Sequence, residues 1–355
     1  MNSKQVLDEI NNISKKEINI MEICGTHTNV ISNLGIRSKL HSNINLLSGP
    51  GCPVCVAHEG YIDNAIELLK NDDVIIVSFG DLLRVRGTKY SILDKRNSKN
   101  VRIIYSPFDA IVLAKENKDK KIVFLAIGFE TMAPIIAAVI RKTIEEGITN
   151  LFFYTALKVM KPILEYILNQ ENYKIDGIIC PGNVAAITGS NYFNFIADKY
   201  NIPCAVCGFN GIEIITGIYH IVKQIEYEEY PKLINSYSNV VKVEGNIIAK
   251  DIISKYFEPV DECWRGIGNV KQSGLKLKDE YENLDATKEF NIVNSKKIKP
   301  TVCNCGDVLL GRIKPNDCKL FGKMCTPISP KGPCMVSQEG SCNAIYRYMK
   351  VVNYE

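Results

Sequence analysis

The sequence predicts an α/β protein: two parallel-sheet α/β units of similar size, then a loop-rich C-terminal domain held together through cysteine. Three observations carry this. Through the first two thirds, short β-branched apolar runs alternate with longer amphipathic stretches, the pattern of βαβ units. At residues 115–121 the run Lys-Glu-Asn-Lys-Asp-Lys-Lys reads as a solvated connector between two such units. From about Glu228 the pattern turns mixed, and from Thr301 it becomes dense in Cys, Gly and Pro. The expected domains are therefore residues 1–117, 118–227 and 228–355.

In chain order, strands are expected at Ile18 to Cys24, Val74 to Phe79, Val101 to Tyr105, Ile122 to Ile127, Leu151 to Tyr154 and Gly177 to Cys180, each a compact apolar run. Helices are expected at Tyr61 to Lys70, Ala133 to Glu146 and Met160 to Asn169, where apolar residues recur at helical spacing. Several strand ends run straight into Gly, Pro or Thr and then a helix: Cys24-Gly25-Thr26-His27, Gly80-Asp81, Gly128-Phe129-Glu130-Thr131 and Cys180-Pro181-Gly182-Asn183. In open α/β sheets these carboxyl ends are where ligands bind.

Composition narrows the function classes. A net charge of +4 over 355 residues, with Lys and Arg interleaved among Asp and Glu, points to neither nucleic acid nor a membrane surface as partner. The first twenty residues lack a signal-peptide apolar stretch and an Arg-rich transit pattern, and no segment offers ~18 uninterrupted apolar residues, so a cytoplasmic protein is expected. Thirteen cysteines in a reducing compartment imply metal binding or thiol chemistry rather than a disulfide framework.

Cys24 is expected between a strand and a helix, where the positive end of the helix dipole and nearby His27 would lower its pKa. Gly49-Pro50-Gly51-Cys52-Pro53-Val54-Cys55 presents two thiols on a tight loop, either a redox pair or half of a metal site. Three thiolates and His27 would suit iron if the fold brings the two loops together, as it would were the strands ending at Cys24 and following Ile44 to Leu47 neighbours. His41, His58 and His220 read as surface or hydrogen-bonded histidines. Cys180, Cys204, Cys207 and Cys263 read as core.

Cys303, Cys305, Cys318, Cys325, Cys334 and Cys342 fall within forty residues too poor in apolar side chains to fold on their own core. An iron-sulfur cluster takes four such thiolates from loops. The alternative is a four-cysteine zinc site, which usually draws on two closely spaced pairs, whereas these spacings are wide and unequal.

These motifs in this order resemble the HypD family of hydrogenase maturation factors. The matching stretches are Cys24-Gly25-Thr26-His27, Gly49 to Cys55, Gly128 to Thr131 through Pro134, Trp264-Arg265-Gly266-Ile267-Gly268, and the run from Cys305 to Tyr348, which includes Glu339. The resemblance implies a [4Fe-4S] cluster on Cys305, Cys318, Cys325 and Cys342, with Cys303 and Cys334 as spares. It implies that Cys24, Cys52 and Cys55 are essential thiols, that Glu339 lies close in sequence to the cluster ligand Cys342, and that the fold is two similar α/β domains plus a cluster-bearing one. The implied task is a scaffold holding a mononuclear iron as cargo through N-terminal cysteines while cyanide and carbon monoxide are attached, with a HypC-type small chaperone and a HypE-type cyanide donor as partners. A thiol/disulfide oxidoreductase acting through Cys52 and Cys55 is the alternative. Leu157, Asn183 and Asn210 stand where the family has two histidines and an acid, all three expected in the second domain.

Overall fold

The computed structural model describes residues 2–96, 100–170, 174–293 and 302–349. Its strands are β1 (Ile18–Glu22), β2 (Ile44–Ser48), β3 (Val74–Ser78), β4 (Val101–Ile103), β5 (Lys121–Gly128), β6 (Leu151–Lys158), β7 (Gly177–Pro181), β8 (Cys204–Cys207), β9 (Leu233–Asn235), β10 (Phe257–Trp264) and β11 (Gly268–Leu277). All six expected strands are among them. The three expected helices are present as Glu59–Leu68, Ala133–Glu145 and Met160–Leu168.

The chain folds into two compact units, each assembled from separated stretches. One comprises Met1–Cys52, Leu164–Ile247 and Val302–Glu355, the other Pro53–Ile163 and Ile248–Thr301. This corrects the expected continuous domains 1–117, 118–227 and 228–355. Residue 117 is no boundary, because β3 pairs in parallel with β5, Val74 opposite Lys121. The polar run at 115–121 only links the helix Asp109–Glu116 to β5 within one sheet. Parallel neighbours are joined by crossovers, and a crossover is long enough for the chain to leave one sheet and return to it.

In the first unit the strands are all parallel, in the order β2-β1-β7-β8-β9. The order reverses between β1 and β7, so the carboxyl ends of those strands flank the crevice where doubly wound sheets bind ligands. The sheet packs against the helix Gly211–Glu226, which Asn210 starts with a capping box to Glu213. Its Ile214, Ile218, Ile221 and Val222 recur at helical spacing and bury against Ile18, Ile20 and Ile31, each worth about 1.5–3 kcal/mol.

In the second unit the order is β10-β11-β6-β5-β3-β4. Its parallel part, β4-β3-β5-β6, repeats the winding of β2-β1-β7-β8, which is the expected likeness of two α/β units. An antiparallel hairpin, β10 and β11, extends the β6 edge. Val77, Phe124, Phe153, Ile136 and Ile140 fill this core.

The cysteine-rich segment packs with the first unit. Lys314 Nζ donates to Asn45 Oδ1 at 2.8 Å. Gly311 has φ +71°, and a Cβ there would lie 2.7 Å from Met21.

Candidate metal and thiol centres

β1 and β2 are parallel neighbours, Glu22 opposite Ser48, so the condition for bringing Cys24 and the Gly49 loop together is met. The Gly49 N–H donates to the Glu22 carbonyl at 2.7 Å, and the Gly25 N–H to the Gly51 carbonyl at 3.2 Å. A Cβ on Gly51 would sit 2.3 Å from Cys24 Cα and 2.4 Å from its N, so only glycine allows this approach of backbone to backbone. Cys24 and Cys52 are both buried. Cys55 is buried as well, three positions on, in the second unit.

Cys24 N-caps the helix Gly25–Asn33, as expected from its place after a strand. The expected thiolate is not what this environment favours. Burial pushes the Cys24 thiol up to about 11, the Glu339 carboxylate adds to the rise, and the N–H groups of His27 and Thr26 offset only part of it. His27 does not supply a cation, because burial holds its imidazole down to about 4 and its Nε2 donates to the Gly208 carbonyl at 2.9 Å. Its Nδ1 has no hydrogen-bond partner among the described residues. In metal-free protein, alkylation of Cys24 should be slow at neutral pH and climb as pH approaches 11. A titration with an ordinary thiol midpoint would contradict the burial argument.

The depressed His27 pKa also makes stability depend on pH. The unfolded chain takes up a proton near 6.5 and the folded one near 4, so His27 stabilises fully above 6.5 and the contribution is lost as pH falls through that window to 4. The loss is about 3 kcal/mol. Denaturant unfolding at pH 7 and pH 4 should show a smaller pH dependence for His27→Gln, and an unchanged slope would contradict it.

Glu339 reaches this loop from the cysteine-rich segment: Thr26 Oγ1 donates to Glu339 Oε1 at 3.0 Å. A Cβ on Gly25 would lie 2.5 Å from the Glu339 carbonyl oxygen, and Asn29 Nδ2 donates to the Gln338 carbonyl at 3.2 Å. The helix Ser341–Met349, which carries Cys342, packs on the Cys24 helix. The segment of the expected cluster and the Cys24 loop thus form one surface, within one unit.

Sequence reasoning missed Glu22. It is fully buried at the end of β1, paired with Arg37 and accepting from Ser48 Oγ at 3.1 Å. Burial raises its pKa against the pull of Arg37, and Oε2 has no partner among the described residues. A charged residue inside an apolar strand run was the available signal.

A pocket in the cysteine-rich segment is lined by Cys303, Cys305, Cys318, Cys325 and Cys342 together with Val308, Leu320, Phe321, Gly332 and Met335. Cys334 is buried and does not line it. The Lys331 N–H donates to Cys325 Sγ at 3.3 Å. Burial raises the Cys325 thiol, and a hydrogen bond to Cys305 followed by burial raises Cys342, so a metal entering here must displace protons. A Cβ on Gly332 would lie 2.2 Å from Cys303 Sγ and 2.6 Å from Cys305 Sγ, so glycine keeps the wall clear for sulfur. Among the described residues no three thiol, imidazole or carboxylate groups converge on one ion position. A [4Fe-4S] cluster takes one thiolate for each of its four irons, and five thiols line this partly apolar pocket.

The other matching motifs build the second unit. Glu130 Oε1 accepts from the Met160 N–H at 2.7 Å, Trp264 Nε1 donates to Ser273 Oγ at 2.8 Å, and Arg265 Nε lies 3.1 Å from Glu59 Oε1. Lys158 is buried; its ammonium lies 3.3 Å from Glu262 Oε1 and donates to the Cys263 carbonyl at 3.1 Å. Leu157 belongs to this unit's core, whereas Asn183 and Asn210 lie in the first unit, so the three departures do not share a domain. Asn210 serves as a helix cap, and Asn183 Oδ1 accepts from the Val184 N–H at 2.9 Å. His58 Nδ1 accepts from the Gly60 N–H at 3.1 Å and His41 Nδ1 from the Asn43 N–H at 3.3 Å, the local hydrogen-bonding roles expected of them. Cys180, Cys204, Cys207 and Cys263 are buried, as expected.

Among the described residues no helix is long and apolar enough to cross a membrane. A family model described as HypD, Hydrogenase formation hypA family, matches residues 2–349. The chain is 40% identical to a hydrogenase expression/formation protein of Methanocaldococcus jannaschii over 98% of this chain and 97% of that one. It is 36% identical to the hydrogenase maturation factor HypD of Escherichia coli over 94% and 90%, and 36% identical to that of Rhodobacter capsulatus over 97% and 93%.

Proposed function

We propose, since the chain belongs to the HypD family, that this hydrogenase maturation factor is a scaffold on which an iron is held at Cys24 while cyanide and carbon monoxide ligands are attached. One observation carries this reading: the Cys24 loop and the Glu339 end of the cysteine-rich segment are in contact, Thr26 to Glu339 at 3.0 Å. Cys24 and Cys305, Cys318, Cys325 and Cys342 belong to one unit.

Cys305, Cys318, Cys325 and Cys342 would hold a [4Fe-4S] cluster, which supplies electrons when bound. The iron at Cys24 is cargo. A low-spin iron carrying cyanide and carbon monoxide is suited by soft sulfur donors, and Cys24 alone gives one. The remaining donors come from Cys52 or from a small partner of the HypC type, with a HypE-type protein delivering cyanide. Cys24, buried and protonated, would release its proton to solvent as its sulfur takes the metal, so iron loading is favoured as pH rises.

Protein purified anaerobically with its small partner should carry about four cluster irons plus one, and show cyanide and carbonyl infrared bands. A cluster without the additional iron or the bands would favour disulfide chemistry at Cys52 and Cys55 instead.

A further inference from the structure

The pocket is lined by five thiols, one more than a four-iron cluster takes from its protein. Two of them occupy one place. Cys303 Sγ lies 2.9 Å from Cys305 Sγ, and the point a Cβ of Gly332 would fill is 2.2 Å from the first and 2.6 Å from the second. Either sulfur could therefore reach an iron at that corner. The two residues differ in cover: Cys305 is buried at the start of the helix Cys305–Leu309, whereas Cys303 is partly exposed on the loop before it. Cys334 has no such placement; its backbone is pressed against Gly340, where a Cβ would lie 2.2 Å from the Cys334 carbonyl oxygen.

We propose that Cys303 is an exchangeable ligand for the cluster corner held by Cys305, an inference that rests on the cluster reading above. In the exchange the iron–sulfur bond to Cys305 breaks and that to Cys303 forms. The proton leaving the Cys303 thiol ends on Cys305, and no electrons are transferred. A bound cluster would then keep a protein ligand at the Cys303 and Cys305 position through either thiol.

The test is anaerobic reconstitution of the full chain as wild type, Cys303→Ser, Cys305→Ser, Cys305→Ala and the Cys303→Ser/Cys305→Ser double variant, with sulfide analysis, visible absorption and circular-dichroism melting. Thiols left open are then alkylated and located by mass spectrometry. The single variants are expected to keep the cluster and the double variant to lose it at least tenfold. Cys303 is expected to alkylate in the wild-type holoprotein and to become protected in Cys305→Ser and Cys305→Ala. Loss of the cluster from both Cys305 variants while the wild type keeps it overturns the exchange alone, as does Cys303 alkylating in either at the wild-type rate. A wild type that takes up no cluster overturns the cluster reading and the exchange with it.

Discussion

Replacing Cys318 or Cys325 by Ser is expected to remove the full complement of about four irons and four sulfides per chain. Both line the pocket with apolar neighbours, and Cys325 is fixed there by the Lys331 N–H. A serine hydroxyl is a poor thiolate substitute at a soft metal. The segment has few apolar side chains of its own, so losing the cluster also loosens it, and the melting temperature should fall together with the visible absorption. Cys334→Ser should keep the cluster, because Cys334 does not line the pocket. Sulfide analysis of the three variants decides it. A Cys334→Ser protein without cluster beside a Cys318→Ser protein with one would refute the ligand set.

Gly51→Ala should be the most damaging change at the Cys24 loop that touches no thiol. The new Cβ would lie 2.3 Å from Cys24 Cα and 2.6 Å from its carbonyl carbon, and those atoms are backbone that cannot rotate aside. Forcing an extra carbon into packed surroundings costs about 1–3 kcal/mol, here taken up by moving Cys24 away from the Gly49 to Cys52 turn. The iron and its infrared bands should be lost while the cluster absorption stays. Gly80→Ala is the control, its nearest neighbour being Ile103 at 3.8 Å. A Gly51→Ala protein with wild-type bands would mean that the two loops need not meet.

The six expected strands were legible as short apolar runs, of which Val74–Ser78 is buried throughout. The hairpin β10 and β11 was not, since Pro, Gly, Glu, Asp, Lys and Gln break up its apolar residues and much of it is only partly buried. The domain boundaries failed for a different reason. Pairings such as Ile20 with Gly177 lie more than 150 residues apart, and no local pattern records them. At the site, the thiols and the glycines beside them could be read from spacing. The protonation of Cys24 could not, because the dipole argument is local whereas its burial under the cysteine-rich segment is a product of tertiary packing. Glu22 was passed over because a lone carboxylate in a strand has no motif, and Cys303 was set aside with Cys334 although only one of them faces the pocket.

The infrared spectrum of Cys24→Ser purified with the proposed small partner, recorded beside the wild type and alongside cluster absorption, tests most directly whether Cys24 holds the iron. The wild type is expected to show cyanide and carbonyl bands, and Cys24→Ser to lose them together with about one iron per chain while retaining the cluster. Bands of wild-type intensity in Cys24→Ser would contradict it, and would place the iron away from the end of β1.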